Sequence, residues 1–383
     1  MSDRKSRQIL RRAKENNKDA ILVVTGCYAQ VAKEELNKIK DIDIILGNAE
    51  KKDIIKYVDE FISKKEKQNE VSDIMRQKDI TEFETTAYTD KTRAVVKIQD
   101  GCDRFCSYCI IPYVRGRVRS RTIEDIKNEV EEIAKKGIKE IVITGIHIAS
   151  YGKDFKNGIS LIDILKELNK VEGIQRIRLG SLEPTIINEE FMKELIKLNK
   201  ICDHFHLSLQ SGCDSTLQRM NRKYTTEQFK KSVELIKQNY PNVALTTDII
   251  VGFPKETKEE FLQTYKYLDE IDFYKMHIFK YSPRKGTKAA LMDNQITNSE
   301  KERRSAILIE LSNKKQLEHN KKYIGKTVEV LLEEREDVYI KGHTTNYITV
   351  YVKNVKDNLE NSIVKVEIEN TYNEGLIGKI SKM

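Results

Sequence analysis

The chain has 383 residues, 39% hydrophobic and 33% charged, with 68 Lys and Arg against 60 Asp and Glu and a formal net charge of +8. That length carries two or three domains, and no apolar run reaches the roughly 20 residues needed to span a bilayer. The opening MSDRKSRQILRRAKENN has no apolar core, which argues against a secretory signal and for a cytoplasmic setting. Six cysteines in reducing surroundings favour metal binding or redox chemistry over disulfides. The basic balance leans only mildly toward polyanions, because a solvated Lys-rich surface explains it equally.

In chain order, AILVVTGCYAQ (20–30) reads as a strand running into a polar helix, and DIDIILGN (41–48) as a second strand. KKDIIKYVDEFISKK (51–65) reads as an amphipathic helix with Ile54, Ile55, Val58 and Ile62 on one side. Residues 1–67 thus form a small α/β domain, and the polar, weakly periodic stretch 68–91 reads as a linker. Six strand-like runs follow: AVVKIQD, EIVITG, IRLGSLE, HFHLSLQ, TTDIIVGF and MHIFKY. Helices lie between them, with capping-box starts at Thr225/Gln228 and Thr257/Glu260 and a stop at Gly137. Alternating strands and helices predict a parallel sheet with right-handed crossovers, here a partial (β/α)6 barrel over 92–315. The last part, 316–383, changes to period-two alternation in KTVEVLLEE, VYIKGHTTNYITVYVK and SIVKVEIENTYNEGLIGKI, which predicts a small antiparallel β-barrel.

The stretch GCDRFCSYCIIPYVRGRVRSR (101–121) directly follows the first barrel strand. Cys102, Cys106 and Cys109 make C-x3-C-x2-C and have no local fourth ligand, since the next His is His147 and the next Cys is Cys202. Three thiolates leave one position of an iron–sulfur cluster open to an outside ligand. A zinc loop borrowing a distant fourth ligand is the other reading. The loop sits where (β/α) barrels build active sites, at the C-terminal end of a strand.

The cysteine spacing, Tyr108 just before the third cysteine, and the place after the first barrel strand resemble the radical S-adenosylmethionine superfamily. The loop together with ITGIHIASYG, RLGSLEP, HLSLQSGCDSTLQRMNRKYT, TDIIVGFPKET and the final β module resembles the methylthiotransferases that modify tRNA, along nearly the whole chain. RGRVRSR is most similar to the branch acting on N6-threonylcarbamoyladenosine 3′ of the anticodon. The resemblance implies a 4Fe–4S cluster on Cys102, Cys106 and Cys109 whose open iron chelates S-adenosylmethionine, a 5′-deoxyadenosyl radical, and methylthiolation of the base at C2. It implies tRNA as partner, an electron donor such as flavodoxin or ferredoxin, and a C-terminal barrel of the TRAM type that holds RNA.

By position in the motifs, the resemblance implies that Tyr108, Thr144, Gly145, Ser181, Glu183, Gln210, Ser211, Arg222, Val251 and Phe253 surround the cofactor. Turns, caps and core packing are the ordinary alternatives for each. Arg115, Arg117, Arg119 and Arg121 are candidates for substrate carboxylate or phosphate, because guanidinium offers bidentate recognition of both. Arg117 and Arg119 lead that set, and pairing with protein acids is the alternative. On the β module, Lys341 and Tyr347 are the RNA candidates, with edge protection explaining part of the same pattern.

The family carries three more cysteines in its N-terminal domain for a second 4Fe–4S cluster. Here Cys27 alone corresponds, and MSDRKSRQIL matches the family just past the second of the three, so the expectation is a truncated domain with an incomplete auxiliary cluster. Alternative readings are a methylthiotransferase acting on isopentenyladenosine tRNA or a ribosomal protein, or a non-catalytic RNA-binding remnant.

Overall fold

A computed structural model of the chain describes residues 2–78, 80, 92–353 and 358–381. They fall into two compact units. The first gathers the described residues before 87 with Asp100–Phe105 and Cys109–Arg119, and the second gathers the remainder.

The first unit runs α1 (Ser2–Asn16), β1 (Val23–Thr25), α2 (Cys27–Asn37), β2 (Ile44–Leu46), α3 (Ile54–Lys64) and β3 (Gln68–Glu70), and includes the short α4 (Ile111–Arg115). Its sheet is parallel, in the order β1-β2-β3. The buried β2 triplet Ile44, Ile45 and Leu46 makes it the central strand. Gln68–Glu70 lies inside the stretch read as a linker. As a polar edge strand with one half-buried residue it carries no apolar alternation for a sequence reading to detect. Residues 79 and 81–91 of that stretch lie outside the described residues. Helix α3 forms as expected, yet Ile55 and Ile62 of its apolar side are exposed.

Apart from Asp100 and Arg119, which the first unit includes, the strands of the second unit are β4 (Arg93–Asp100), β5 (Arg119–Ser120), β6 (Glu140–Gly145), β7 (Arg176–Leu179), β8 (His204–His206), β9 (Ala244–Val251) and β10 (Lys275–Lys280). Neighbours β4-β6-β7 and β8-β9-β10 pair in parallel. Parallel bridges Ile177–Ile201 and Leu182–Leu207 continue β7 toward β8. The result is the expected partial six-stranded barrel. Helices α5 (Ile123–Lys135), α6 (Leu161–Asn169), α7 (Glu189–Leu195), α8 (Asp214–Arg219), α9 (Thr226–Asn239) and α10 (Lys258–Glu270) lie between the strands. The Thr225/Gln228 and Thr257/Glu260 capping boxes form, and a third joins Ser160 with Asp163. That one escapes the usual pattern, which has Glu or Gln at the third position.

Helix α11 (Asn298–Lys321) leads to β11 (Thr327–Glu336), β12 (Tyr339–Thr344), β13 (Thr349–Lys353), β14 (Ile363–Tyr372) and β15 (Gly375–Ile380). These close into a barrel in the order β11-β12-β13-β15-β14. No described helix is long and apolar enough to cross a membrane.

His319 of α11 stands between the rings of Tyr274 and Tyr323, with centroids 5.0 and 5.6 Å away. Neither of its ring nitrogens has a hydrogen-bond partner among the described residues. Burial pushes its pKa down from 6.5 to about 4; Lys322 and Lys237 add to the fall and Asp272 opposes it. The unfolded imidazole therefore takes a proton well above the pH at which the folded one does. Stability is intact above the unfolded value and is lost as pH falls toward the folded one. Going from pH 7 to 5 should cost about 2 kcal/mol through this residue. His319→Leu should flatten that part of the acid-side slope, checked by urea midpoints of both proteins at the two pH values.

Candidate active site

Two glycines shape the cysteine loop within the first unit. Gly101 has φ 73°, and a Cβ there would lie 1.8 Å from the Arg117 carbonyl oxygen. Gly116 has φ 78°, and its Cβ would lie 2.4 Å from the Ile74 carbonyl oxygen. The backbone N–H of Cys102 donates to the Gly116 carbonyl at 3.0 Å. The chain thus folds back on itself at both glycines, and only a residue without a side chain fits.

Of the four arginines after the cysteines, three face protein. Arg119 is buried, 4.0 Å from the buried Asp100 carboxylate, and donates to the Arg115 carbonyl at 2.7 Å. Arg115 reaches Asp100 at 3.6 Å. Arg121, in the second unit, pairs with Glu129 and donates to the Lys97 carbonyl. Only Arg117 keeps an exposed guanidinium; its side chain is 54% exposed and sits 3.2 Å from the equally open Asp103. The substrate assignment therefore narrows to Arg117, because Asp100 and Glu129 draw the other three inward. Asp100 itself, at the end of β4, went unnoticed in the sequence, where it reads as one more acidic residue before a turn.

Cys106–Tyr108 belongs to the second unit and is pinned there by Ser107. Its N–H donates to the Met220 carbonyl at 3.0 Å, its hydroxyl to the Arg219 carbonyl at 2.7 Å, and its carbonyl accepts from Ala289 at 2.8 Å. Arg222 places a guanidinium nitrogen 3.3 Å from the Cys106 sulfur, and its other groups reach Tyr224 Oη, the Ser208 carbonyl and, at 3.8 Å, the Glu183 carboxylate. Glu183 is buried and meets His147 Nε2 at 3.1 Å, and His147 Nδ1 meets Ser150 Oγ at 2.6 Å. A polar line therefore runs from Ser150 through His147, Glu183 and Arg222 to a cysteine sulfur. His147 follows the ITG segment, and its part in this line was not read from the sequence.

Other candidates sort by burial. Thr144 and Gly145 end β6, and a Cβ at Gly145 would lie 2.9 Å from the Gln99 carbonyl oxygen, so the backbone there is bare and close-packed on one side. Ser181 is exposed and meets Ser208 Oγ at 2.6 Å. Gln210 holds φ 71°, which non-glycine residues seldom adopt, while Ser211 is fully buried against Thr264. Val251 and Phe253 are 1% and 0% exposed. Phe253 packs edge-on against Tyr281 and Tyr108, with centroids 5.3 and 6.4 Å away. Those two therefore serve the core, as an apolar strand end buried on both sides does.

On the β module Lys341 is held by Glu334 and Glu336 at 3.0 and 3.8 Å, and the Glu334 hydrogen bond raises its pKa. The Tyr347 ring lies under the guanidinium groups of Arg178 and Arg93, 4.5 and 5.2 Å from its centroid, and stacks on His343 at 4.8 Å. Both RNA candidates are thus engaged by protein. The cause is the same for each: opposite charge or a cationic face lies across the strand pair or the sheet.

All six cysteines are free thiols. No group of three or more His, Cys, Asp and Glu side chains among the described residues is gathered closely enough to hold a metal ion. The donor chemistry of the loop nevertheless fits an iron–sulfur cluster: three half-buried thiols lie within eight positions. A second cluster does not fit. Cys202 and Cys213 are buried, which leaves Cys27 as a single thiol, 3.9 Å from the Asn48 side-chain nitrogen.

Residues 96–268 match the Radical SAM superfamily and residues 1–47 the Uncharacterized protein family UPF0004. The chain is 40% identical to threonylcarbamoyladenosine tRNA methylthiotransferase MtaB of Bacillus subtilis (strain 168), over 97% of this chain and 84% of that protein. It is also 40% identical to tRNA-2-methylthio-N(6)-dimethylallyladenosine synthase of Fusobacterium nucleatum subsp. nucleatum, over 96% of this chain and 85% of that protein. Among solved structures, the radical S-adenosylmethionine methyltransferase TsrM of Kitasatospora setae with tryptophan and a cofactor analogue matches at TM-score 0.53 and 16% identity. That match covers 72% of this chain and 57% of TsrM and shows a shared fold.

Arg119→Ala should destabilise the protein by about 2 kcal/mol, because it removes a buried guanidinium that meets both the Asp100 carboxylate and the Arg115 carbonyl, leaving Asp100 to Arg115 alone among the arginines of the loop. Arg117→Ala should stay within about 0.5 kcal/mol, since its partner is exposed. Urea unfolding of both variants separates the scaffold arginine from the free one.

Proposed function

We propose the following activity for this chain, which belongs to the radical S-adenosylmethionine tRNA methylthiotransferase family: replacement of the C2 hydrogen of N6-threonylcarbamoyladenosine, on the 3′ side of the anticodon, by a methylthio group. The enzyme is a methylthio transferase that uses a 4Fe–4S cluster and S-adenosylmethionine. Bound together, these supply a radical able to abstract hydrogen from an aromatic C–H bond that acid–base catalysis leaves untouched at neutral pH.

The chain's own residues hold and orient. Cys102, Cys106 and Cys109 are the cluster ligands in this reading. Arg222 steadies Cys106 and, with Glu183 beside it, offers one cationic and one anionic group to the charged ends of the cofactor. Gly145 and Thr144 offer half-buried backbone at the end of β6, and Ser181 and Gln210 offer polar side chains. The buried Val251, Phe253 and Ser211 keep the wall behind them dry. A second molecule of S-adenosylmethionine is the methyl source. Reduction of the cluster calls for a cytoplasmic electron donor such as flavodoxin or ferredoxin.

The substrate reading is carried by one observation, the exposed Arg117 on the cysteine loop. The threonylcarbamoyl group ends in a carboxylate, which a guanidinium binds through two parallel hydrogen bonds. Asp103, half exposed, is a weak partner that such a carboxylate can displace. An isopentenyl base has no charge to offer Arg117 and would leave it unused.

Cys102→Ala, Cys106→Ala and Cys109→Ala should each lose reconstituted iron and cofactor cleavage. Arg117→Glu should keep both while cutting methylthiolation of the threonylcarbamoyl base at least about tenfold. The check is mass spectrometry of tRNA nucleosides from a deletion strain carrying each variant. Persistence of the 2-methylthio threonylcarbamoyl nucleoside in the deletion strain itself would overturn the substrate assignment.

A further inference from the structure

Within the first unit the cysteine loop carries two aromatic rings beside its exposed arginine. Phe105 and Tyr113 meet edge to face, with centroids 5.5 Å apart and planes at 76°. The Arg117 guanidinium lies 5.0 Å from the Phe105 centroid.

Tyr113 and Arg117 reach solvent, and Phe105 lies half-buried between them. Tyr113 is 45% exposed on α4, whose neighbouring Pro112 and Val114 are buried. Phe105 is only half-buried, yet its backbone holds φ 48°, a left-handed conformation that bulky residues avoid. Such strain persists where the surroundings over-determine it, and it clusters at functional sites. Arg117 lays its charge over the Phe105 ring and toward solvent. With Arg115, Arg119 and Arg121 turned onto Asp100 and Glu129, Arg117 is the cation of this set that an anion in solvent can reach.

An exposed tyrosine, a half-buried phenylalanine against it and an exposed guanidinium plane match the chemistry by which proteins hold splayed-out bases of single-stranded RNA. An isolated anion would have no use for the rings. We propose that Phe105, Tyr113 and Arg117 form a stacking platform for an unpaired purine of the RNA substrate, with Arg117 also meeting that nucleotide's anionic group. The platform deepens the tRNA reading given above and rests on it. It assigns to Phe105 and Tyr113 a positioning role that the cysteine pattern does not imply, since neither is a thiol or a charged group.

The test is titration of an end-labelled anticodon stem–loop, carrying 2-aminopurine in place of the target adenosine, with the full chain. Anisotropy of the label reads binding, and quenching of 2-aminopurine reads stacking. Tyr113→Ala and Phe105→Leu should each weaken binding about tenfold and abolish most of the quenching. Tyr113→Phe, which keeps the ring, should retain both. Tyr113 is exposed, so its variants should unfold at the wild-type urea midpoint and test the platform even where Phe105→Leu folds poorly. Wild-type binding and quenching in Tyr113→Ala would overturn the platform and leave the tRNA reading standing. Failure of the wild-type chain to bind any stem–loop would overturn both.

Discussion

The geometry of the thiol loop rests on a single close approach, Gly101 against the carbonyl of Arg117. With 1.8 Å between that oxygen and any added Cβ, the position admits only glycine. The return of the chain past it is what lets the N–H of Cys102 find the Gly116 carbonyl. It also brings Arg115 and Arg119 onto the Asp100 carboxylate. A buried carboxylate demands such partners, because an uncompensated charge in the interior costs several kcal/mol. Cysteine positions and arginine directions are thus consequences of the same backbone turn. Arg119 is not exchangeable with lysine in this setting, since its guanidinium has to reach a carbonyl and a carboxylate at once.

In the second unit the corresponding order comes from side chains. Arg222 is nearly buried and divides its donors among a sulfur, a phenol, a carbonyl and, more distantly, Glu183. Glu183 in turn is shared with His147, which is itself steadied by Ser150 and, through its backbone N–H, by Gln99. Each member is fixed by the next, so the group nearest the cysteine is oriented by residues at the ends of three strands. Such outer partners commonly govern how a metal ligand is aimed. The guanidinium beside Cys106 also means that negative charge gathered on that sulfur would meet a preformed positive partner, with little rearrangement.

Much of this was legible in the sequence, and the exceptions have physical causes. Strand–helix alternation, the Thr225 and Thr257 capping boxes and the period-two pattern of the last domain follow local rules, and the structure obeys them. The facing of Arg115, Arg117, Arg119 and Arg121 does not follow local rules. They occupy a helix end, a loop, a strand and the residue after it, so their spacing carries no common face, and distant acids decide which turn inward. β3 hides for the opposite reason, as a polar edge strand that owes its place to pairing with β2 and buries no residue fully. Val251 and Phe253 read alike as cofactor wall or core, because an apolar side chain at a strand end suits both. Only burial distinguishes them.

Tyr347 shows the same limit and has a consequence for RNA. Alternation along β12 and β13 puts Ile340, Val350 and Val352 inside the small barrel and Tyr339, Lys341, His343 and Tyr351 outside, so a tyrosine between the two strands reads as surface. Its φ of 67° turns it back over Arg178, whose nitrogens are spent on Glu140 and on the carbonyls of Thr345 and Thr344. Glu140 is fully buried, so displacing the turn would remove carbonyl and ring partners from a desolvated ion pair, which penalises detachment of the module. In the proposed tRNA reading, what the module offers nucleic acid is its outer wall. There Tyr339, Tyr351 and Tyr372 cluster with centroids 5.0 to 6.1 Å apart, while Glu334 and Glu336 take up Lys341 and Glu369 takes up Lys353. With Lys341, Lys353 and Lys379 paired to glutamates, the ring faces are what that wall offers. Nucleic acid lying on it would be held chiefly by stacking, with weak salt dependence, and the exposed Arg117 would supply attraction to phosphate or carboxylate.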